Sequence, residues 1–379
     1  MICHDQESLS KHDFEPYVNL IPWHHRQVTV IPRCVTKHIA EKMSVHSSDL
    51  LLHSEKNSQD LSWFESHGSI GVYWWCHAVI ARDWYRYAEH DPNLKSKKTP
   101  KNNFLIYNRA WSGLREYRLK FSELLVKEDL VTHCQTTFST EDNTQHYTQH
   151  KFTNHNLQIQ ANDLEKYFLP CQTGAAASAD YTNNDYNNAW IEVVLETVFD
   201  DTKLHLTEKA LRPIACRQPF ILAATPGSLE YLRSYGFRTF GDCWDESYDT
   251  IADPLTRLTA IVALMKKLSQ LPLVEKLQLT DQLAQICEHN HLRFFSADFH
   301  NQVIDEFCTN VAAGVEKITS AKSYDYEFYT NVAAGVEKIT KEKSYDYCQL
   351  RMPWFKNSKE FIGCEDLIQQ MEMWFKHNS

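Results

Sequence analysis

No apolar run in the 379 residues reaches the roughly 18–20 needed to cross a bilayer as a helix, so no membrane span is expected. The first residues carry no basic patch followed by an apolar core, and no secretory signal is expected from them. Cys-x-x-Cys is missing although the chain has 11 cysteines. Scattered and odd in number, they read as reduced thiols of a cytoplasmic protein, not as a disulfide framework or a zinc site. None of the 19 histidines stands in a His-Glu-x-x-His pair, and no Asp-x-Asp stands at a strand end. No metal site is expected. Positive charge is in short supply: the formal net charge is -10, so the whole-molecule field repels a polyanion.

What is present is the composition of a folded protein, 43% hydrophobic and 12% aromatic, in a chain long enough for two domains. Short apolar runs at 28–32, 49–53 and 71–75 read as strands of a first α/β unit. The charged run Lys95 to Lys101, with its proline, reads as a solvated junction. Phe104 to Asn108 then opens a second unit as a buried strand, followed by a helix over 113–127 and a further strand from Val131. Residues 139–189, polar and poorly periodic, are expected to form an irregular, partly mobile excursion or lid. Alternation resumes with strand 190–197, helix 207–217, strand 219–224, helix 228–235 and strand 237–240. Helices are expected over 256–269 and 274–290. Strands alternating with helices in this way imply parallel sheets. Glu306–Tyr326 and Glu327–Tyr347 form a tandem repeat of 21 residues that differs only at Cys308/Tyr329, Ser320/Lys341 and Ala321/Glu342. Two copies are too few for a solenoid, which needs about three. They read as a local duplication extending a helical insertion, with partner docking as the alternative.

The chemistry concentrates in Trp190–Thr197, His205–Pro213 and Gln218–Gly227. Thr207-Glu208-Lys209 opens a helix between two buried strands. A helix start offers unpaired N–H groups and a partial positive charge, which favour a phosphate, and ligands dock at the strand ends of open α/β sheets. Thr207 alone reads as a helix N-cap. Arg109, just beyond a strand, is a candidate for the cleft, whereas Arg118 reads as part of a solvated helix face. Trp74, Trp75, Trp84 and Tyr85 read as core or lobe-interface aromatics. His24, His25 and His77 either line the cleft or are structural. The acids of Asp245–Asp249 either contact a ligand or cap the helix after Pro254.

His205–Pro213 resembles the Tyr-Ile-Thr-Glu-Lys-Leu signature of the α1,3-fucosyltransferases, two-domain GT-B glycosyltransferases, with His205 where that family has tyrosine. Leu195-Glu196-Thr197 looks like their Phe-Glu-Asn strand, and Asn108-Arg109 with Arg115 and Arg118 resembles their basic helix. His53–Ser58 sits where the family has a Gly-Glu-Asn segment, though Ser54 replaces the glycine. Gly236–Phe240 and Trp244–Asp249 also look like glycosyltransferase-like proteins of tailed phages.

The resemblance implies an α/β fold of two Rossmann-like lobes with a helical C-terminal extension. Residues 1–100 would be the acceptor lobe, 101–300 the donor lobe with its insertion at 139–189, and 301–379 the helical region. Glu208 would accept hydrogen bonds from ribose hydroxyls. Lys209 and Arg115 would face the pyrophosphate, with Arg109 beside them. Glu196 would build the floor of the site, His205 would stack on the base, and Glu55 would be the general base. No cofactor is implied beyond a nucleotide-sugar co-substrate. The implied reaction is inverting transfer to a carbohydrate of the glycan or lipopolysaccharide type. A second reading has a hydroxymethylated DNA base as acceptor, reached by extrusion from the duplex. A third is a non-catalytic nucleotide-sugar-binding or assembly protein.

Overall fold

The computed structural model describes residues 2–4, 29–31, 50–66, 70–94, 100–171 and 178–321. The chain divides into two compact units, Met1–Cys76 with Asn301–Ser379, and His77–His300. In the first unit, β1 (Ile2–His4), β2 (Thr29–Ile31), β3 (Leu50–His53) and β4 (Ile70–Tyr73) form a parallel sheet in the order β2-β1-β3-β4. The short helix α1 (Gln59–Ser66) separates β3 from β4. It starts at Ser58, whose hydroxyl accepts from the Leu61 amide at 3.3 Å and so satisfies a donor left orphaned by the first turn.

The second unit starts at the second residue of α2 (Cys76–Trp84), which is followed by β5 (Asn102–Ile106), α3 (Tyr117–Lys127) and β6 (Cys134–Phe138). A hairpin of β7 (Glu141–Asp142) and β8 (Gln145–His146) and the short β9 (Leu169–Pro170) come next. Then follow α4 (Asn183–Asn188), β10 (Ala189–Leu195), α5 (Glu208–Ala215), β11 (Phe220–Ala223), α6 (Ser228–Ser234), α7 (Pro254–Ser269) and α8 (Leu273–Phe295). The last described helix is α9 (Ala297–Ala321); its residues from Asn301 onward belong to the first unit.

Five strands of the second unit form one all-parallel sheet in the order β11-β10-β5-β6-β9. Numbered by appearance in this unit, they lie third-second-first-fourth-fifth, the order of doubly wound α/β sheets. The chain winds outward from β5 to one edge, returns to β10 and winds to the other. β5 and β10 therefore flank the point where the winding reverses. β10 is buried along its whole length, as a strand covered on both faces must be. Its one charge, Glu192, is 1% exposed and is met by Arg212 of α5 at 3.0 Å and by the Tyr186 hydroxyl at 2.9 Å. The Arg212 guanidinium also lies 4.0 Å from the centre of the Tyr107 ring.

Several expectations are corrected. Residues 237–240 form no strand. The Asn290 amide takes both backbone groups of Arg238, accepting from its N–H at 2.7 Å and donating to its carbonyl at 2.8 Å. Glu246 accepts from the Phe240 amide at 2.7 Å. Side chains thus occupy the positions a neighbouring strand would fill. The strand expected from Val131 starts only at Cys134, after a 3-10 turn over Val131–His133. The helix expected over 113–127 is a 3-10 turn (Gly113–Arg115) followed by α3. α7 begins at Pro254 because Asp253 accepts from the Thr256 amide at 2.8 Å; the cap expected from Asp245–Asp249 is not the one used.

The excursion after β6 is irregular, as expected, but residues 150–161 are tied down. Buried Glu116 accepts from the Thr153 and Asn154 amides and from His150 Nε2, at 2.9, 2.8 and 3.1 Å. Glu123 of α3 accepts from the amides of Gln160 and Ala161. Tyr147, Leu157 and Leu164 are buried beneath. Residues 172–177, the run 95–99, His24–Arg26 and all of the second repeat copy lie outside the described residues. The first copy contributes the last part of α9.

Candidate functional site

The carboxyl ends of β5 and β10 carry most of the candidate residues. β10 ends at Leu195, and Glu196 follows as a fully buried carboxylate. Its Oε1 accepts from the Thr207 and Ala210 amides at 3.0 and 3.3 Å. Its Oε2 accepts from the Thr197 amide at 3.0 Å and from the Thr207 hydroxyl at 2.7 Å. Four donors fill the roughly four lone-pair sites of a carboxylate. Glu196 therefore fastens the start of α5 to the end of β10 and has no acceptor left for a ligand. It positions the start of α5 and offers no lone pair of its own to a ligand.

Thr207 is the N-cap of α5, its hydroxyl accepting from the Lys209 amide at 3.3 Å. This cap brings Glu208 and Lys209 onto the rim. Their side chains pair at 2.8 Å, and the lysine ammonium also donates to the Thr207 hydroxyl at 3.2 Å. Glu208 is 7% exposed and Lys209 23% exposed, so the cation is the member open to solvent. Burial pushes the Glu208 carboxyl upward, but the Lys209 charge, the His77 ring and hydrogen bonds outweigh it and hold the group at about 2. Glu208 is thus an ionised acceptor at any physiological pH.

His205 is buried, with its ring edge-to-face on that of His77 at 5.1 Å. Only 2% of its surface is exposed, so no ring face is open for stacking on a base, and the role implied by resemblance is not served by this geometry. Tyr85, expected as core, is fully buried, and its hydroxyl donates to the Ser178 carbonyl at 2.5 Å.

From β5, Arg109 projects from an exposed position just past the strand end, and Arg115 is half-buried at the end of the 3-10 turn. Arg118 departs from expectation. It is 3% exposed, and it donates to the Ala110 carbonyl through Nη1 at 2.7 Å. Through Nη2 it reaches the carbonyls of Leu195 and Glu196 at 2.6 and 3.1 Å. Tyr117 donates to the Glu196 carbonyl at 2.7 Å. These two adjacent residues bind the carbonyls at and just past the end of β10, and Arg118 bridges them to the β5 loop. Sequence reasoning missed this because a single arginine inside an amphipathic helix carries no mark of what lies above it.

Asp249 caps α6, accepting from the Leu229 amide at 3.1 Å. Burial, only partly offset by that amide and by Arg233, raises its carboxyl to about 6. In the first unit, Glu55 is buried two residues beyond β3, its amide donating to His53 Nδ1 at 3.3 Å. The neighbouring Lys56 ammonium pairs with Glu306 at 3.6 Å and lies 4.4 Å from the Tyr73 ring centre. No three His, Cys, Asp or Glu side chains come together as metal ligands would among the described residues. No helix of the described residues is long and apolar enough to cross a membrane. Comparison with family models, characterised proteins and solved structures found no match for this chain.

Proposed function

We propose that the second unit binds a nucleoside-diphosphate sugar and that the protein transfers the sugar to an acceptor hydroxyl with inversion, as a GT-B-type glycosyltransferase. One observation carries this reading. Glu208, Lys209, Arg109 and Arg115 stand at the carboxyl ends of β10 and β5, the two strands that flank the reversal point of the sheet. Ligands of doubly wound sheets bind in the crevice at that point.

The chemistry divides accordingly. Lys209, partly exposed, offers a positive charge to the diphosphate that leaves as the glycosidic bond breaks. Arg109 and Arg115, one strand over, supply planar donors for bidentate contact with its oxygens. Glu208, kept ionised, accepts from ribose hydroxyls. Glu196 and Thr207 hold the helix in register for both. As the new bond forms the acceptor proton passes to a general base; Glu55, which the resemblance implies for that role, lies in the first unit and is only 1% exposed. The acceptor is a carbohydrate; the net charge of -10 disfavours DNA.

The test is a panel of GDP-, UDP-, ADP- and CMP-linked sugars, with and without magnesium, read by melting temperature and by release of the nucleotide. One donor is expected to raise the melting temperature and to be slowly hydrolysed, with Lys209→Gln weakening both. No shift with any donor at millimolar concentration overturns the proposal. A shift unaccompanied by turnover leaves a binding protein.

A further inference from the structure

The loop between β5 and α3 contains two successive backbone donors aimed at one point. The Trp111 and Ser112 amides both donate to Oδ2 of Asp142, at 2.9 and 2.7 Å. Consecutive amides converging on a single anionic oxygen are how backbone nests hold phosphate. Here the chain itself supplies the oxygen, from the last residue of β7. Burial opposes the Asp142 charge, but the two amides, the Ser112 side chain and the Arg115 charge outweigh it and lower the carboxyl below its ordinary value.

The element that delivers this carboxylate is weakly built. β7 and β8 have two residues each and pair only with one another. Their turn holds Asn143 at φ 48° and Thr144 at φ 64°. The left-handed region is unfavourable for a β-branched residue, so Thr144 opposes the hairpin's closed form. Asn143 Nδ2 donates to the Ser112 hydroxyl at 2.9 Å, and the Trp111 indole donates to the Ser139 carbonyl at 2.9 Å, which register the hairpin on the loop. A Cβ added at Gly113 would meet nothing within 4 Å, so the loop has open space beside the nest. The nest also belongs to the edge described above. The Ala110 carbonyl, one residue before it, is bound by Arg118, which binds the end of β10 with its other nitrogen.

We propose that the β7–β8 hairpin is an autoinhibitory strap: its Asp142 carboxylate occupies the anion nest of Trp111 and Ser112, and a ligand diphosphate docks there by displacing it. The inference rests on the reading of this edge as a diphosphate site and adds its regulation. The closed strap lowers the apparent affinity by the fraction of molecules in which the nest is already filled.

The experiment is calorimetric titration of the full chain with inorganic pyrophosphate. Asp142→Ala is expected to bind at least about tenfold tighter than the unsubstituted protein, because the competing carboxylate is gone. Thr144→Gly, which relieves the left-handed strain and favours the closed strap, is expected to melt higher and bind several-fold weaker. Asp142→Asn, which keeps the side-chain shape without the charge, stands in if the alanine variant does not fold. A folded Asp142 variant that binds pyrophosphate no tighter than the parent overturns the strap. If Lys209→Gln weakens binding of the same probe while the Asp142 variants gain nothing, the strap falls and the diphosphate site stands. Absence of pyrophosphate binding in every protein, parent included, overturns both.

Discussion

One helix carries two acid–base pairs of opposite character. Near the middle of α5, Arg212 meets Glu192 of β10, with side chains 4% and 1% exposed. One turn earlier, Lys209 meets Glu208, with side chains 23% and 7% exposed. The inner pair is closed on every side: the Tyr186 hydroxyl takes the second oxygen of Glu192, and the Tyr107 ring lies against the guanidinium. The outer pair rests on the rim, and its cation faces solvent. A buried pair of this kind fixes how a helix sits on a sheet, whereas a rim pair with an open cation can exchange partners. The same helix is thus closed off at Arg212 and open to solvent at Lys209.

Breaking the inner pair gives the largest expected effect. Arg212→Leu strands the Glu192 carboxylate in the core, and a loss of roughly 3–5 kcal/mol is expected in denaturant unfolding. Adding Glu192→Met to that variant removes the stranded charge and is expected to recover more than half of the loss. A double variant no more stable than the single one would show that the pair does more than balance charge.

The outer pair is sharpened by acid. The Glu208 carboxyl is depressed in the folded chain, so its stabilisation is complete above the ordinary carboxylate range and is lost as pH falls from there toward 2. At neutral pH it contributes up to about 3 kcal/mol. Unfolding measured from pH 6 down to 3 should steepen in the parent and flatten in Glu208→Gln; parallel curves would contradict the pairing.

Asp249 supplies the opposite sign. Its folded carboxyl is raised to about 6, so the ionised form opposes folding above that pH and the penalty disappears as pH falls to the ordinary range. Asp249→Asn keeps an oxygen for the Leu229 amide. It is expected to gain about 1–2 kcal/mol at pH 8 and almost nothing at pH 4, by thermal melts at the two values.

How much of this was legible in sequence varies by element. β10 and β11 are apolar runs bounded by turn residues, and α5 starts at the threonine where a cap was expected. α7 follows Asp-Pro, a cap and a first-turn proline. These are local signals, and local reading found them. Residues 237–240 have the aromatic and β-branched residues of a strand, but Asn290 lies 52 positions downstream of the peptide it holds. Arg118 reads as a surface arginine until the end of β10, 77 residues later, is placed beneath it. Asp142 has the look of a turn residue, and nothing near it in sequence announces Trp111 and Ser112. The helix start that carries Glu208 and Lys209 was therefore visible, while the parts joining β5 to β10 depend on long-range contacts.

The open cation at the start of α5 is proposed to meet a diphosphate. This is tested most directly by measuring the affinities of GDP, UDP and ADP for the parent and for Lys209→Gln, which keeps a donor for Thr207 and removes the charge. Because Lys209 is partly solvated, its replacement is expected to lower stability by only about 1–2 kcal/mol. One diphosphate is expected to bind the parent, with its affinity falling by about tenfold or more in the folded variant. Equal affinity in the two proteins would contradict it.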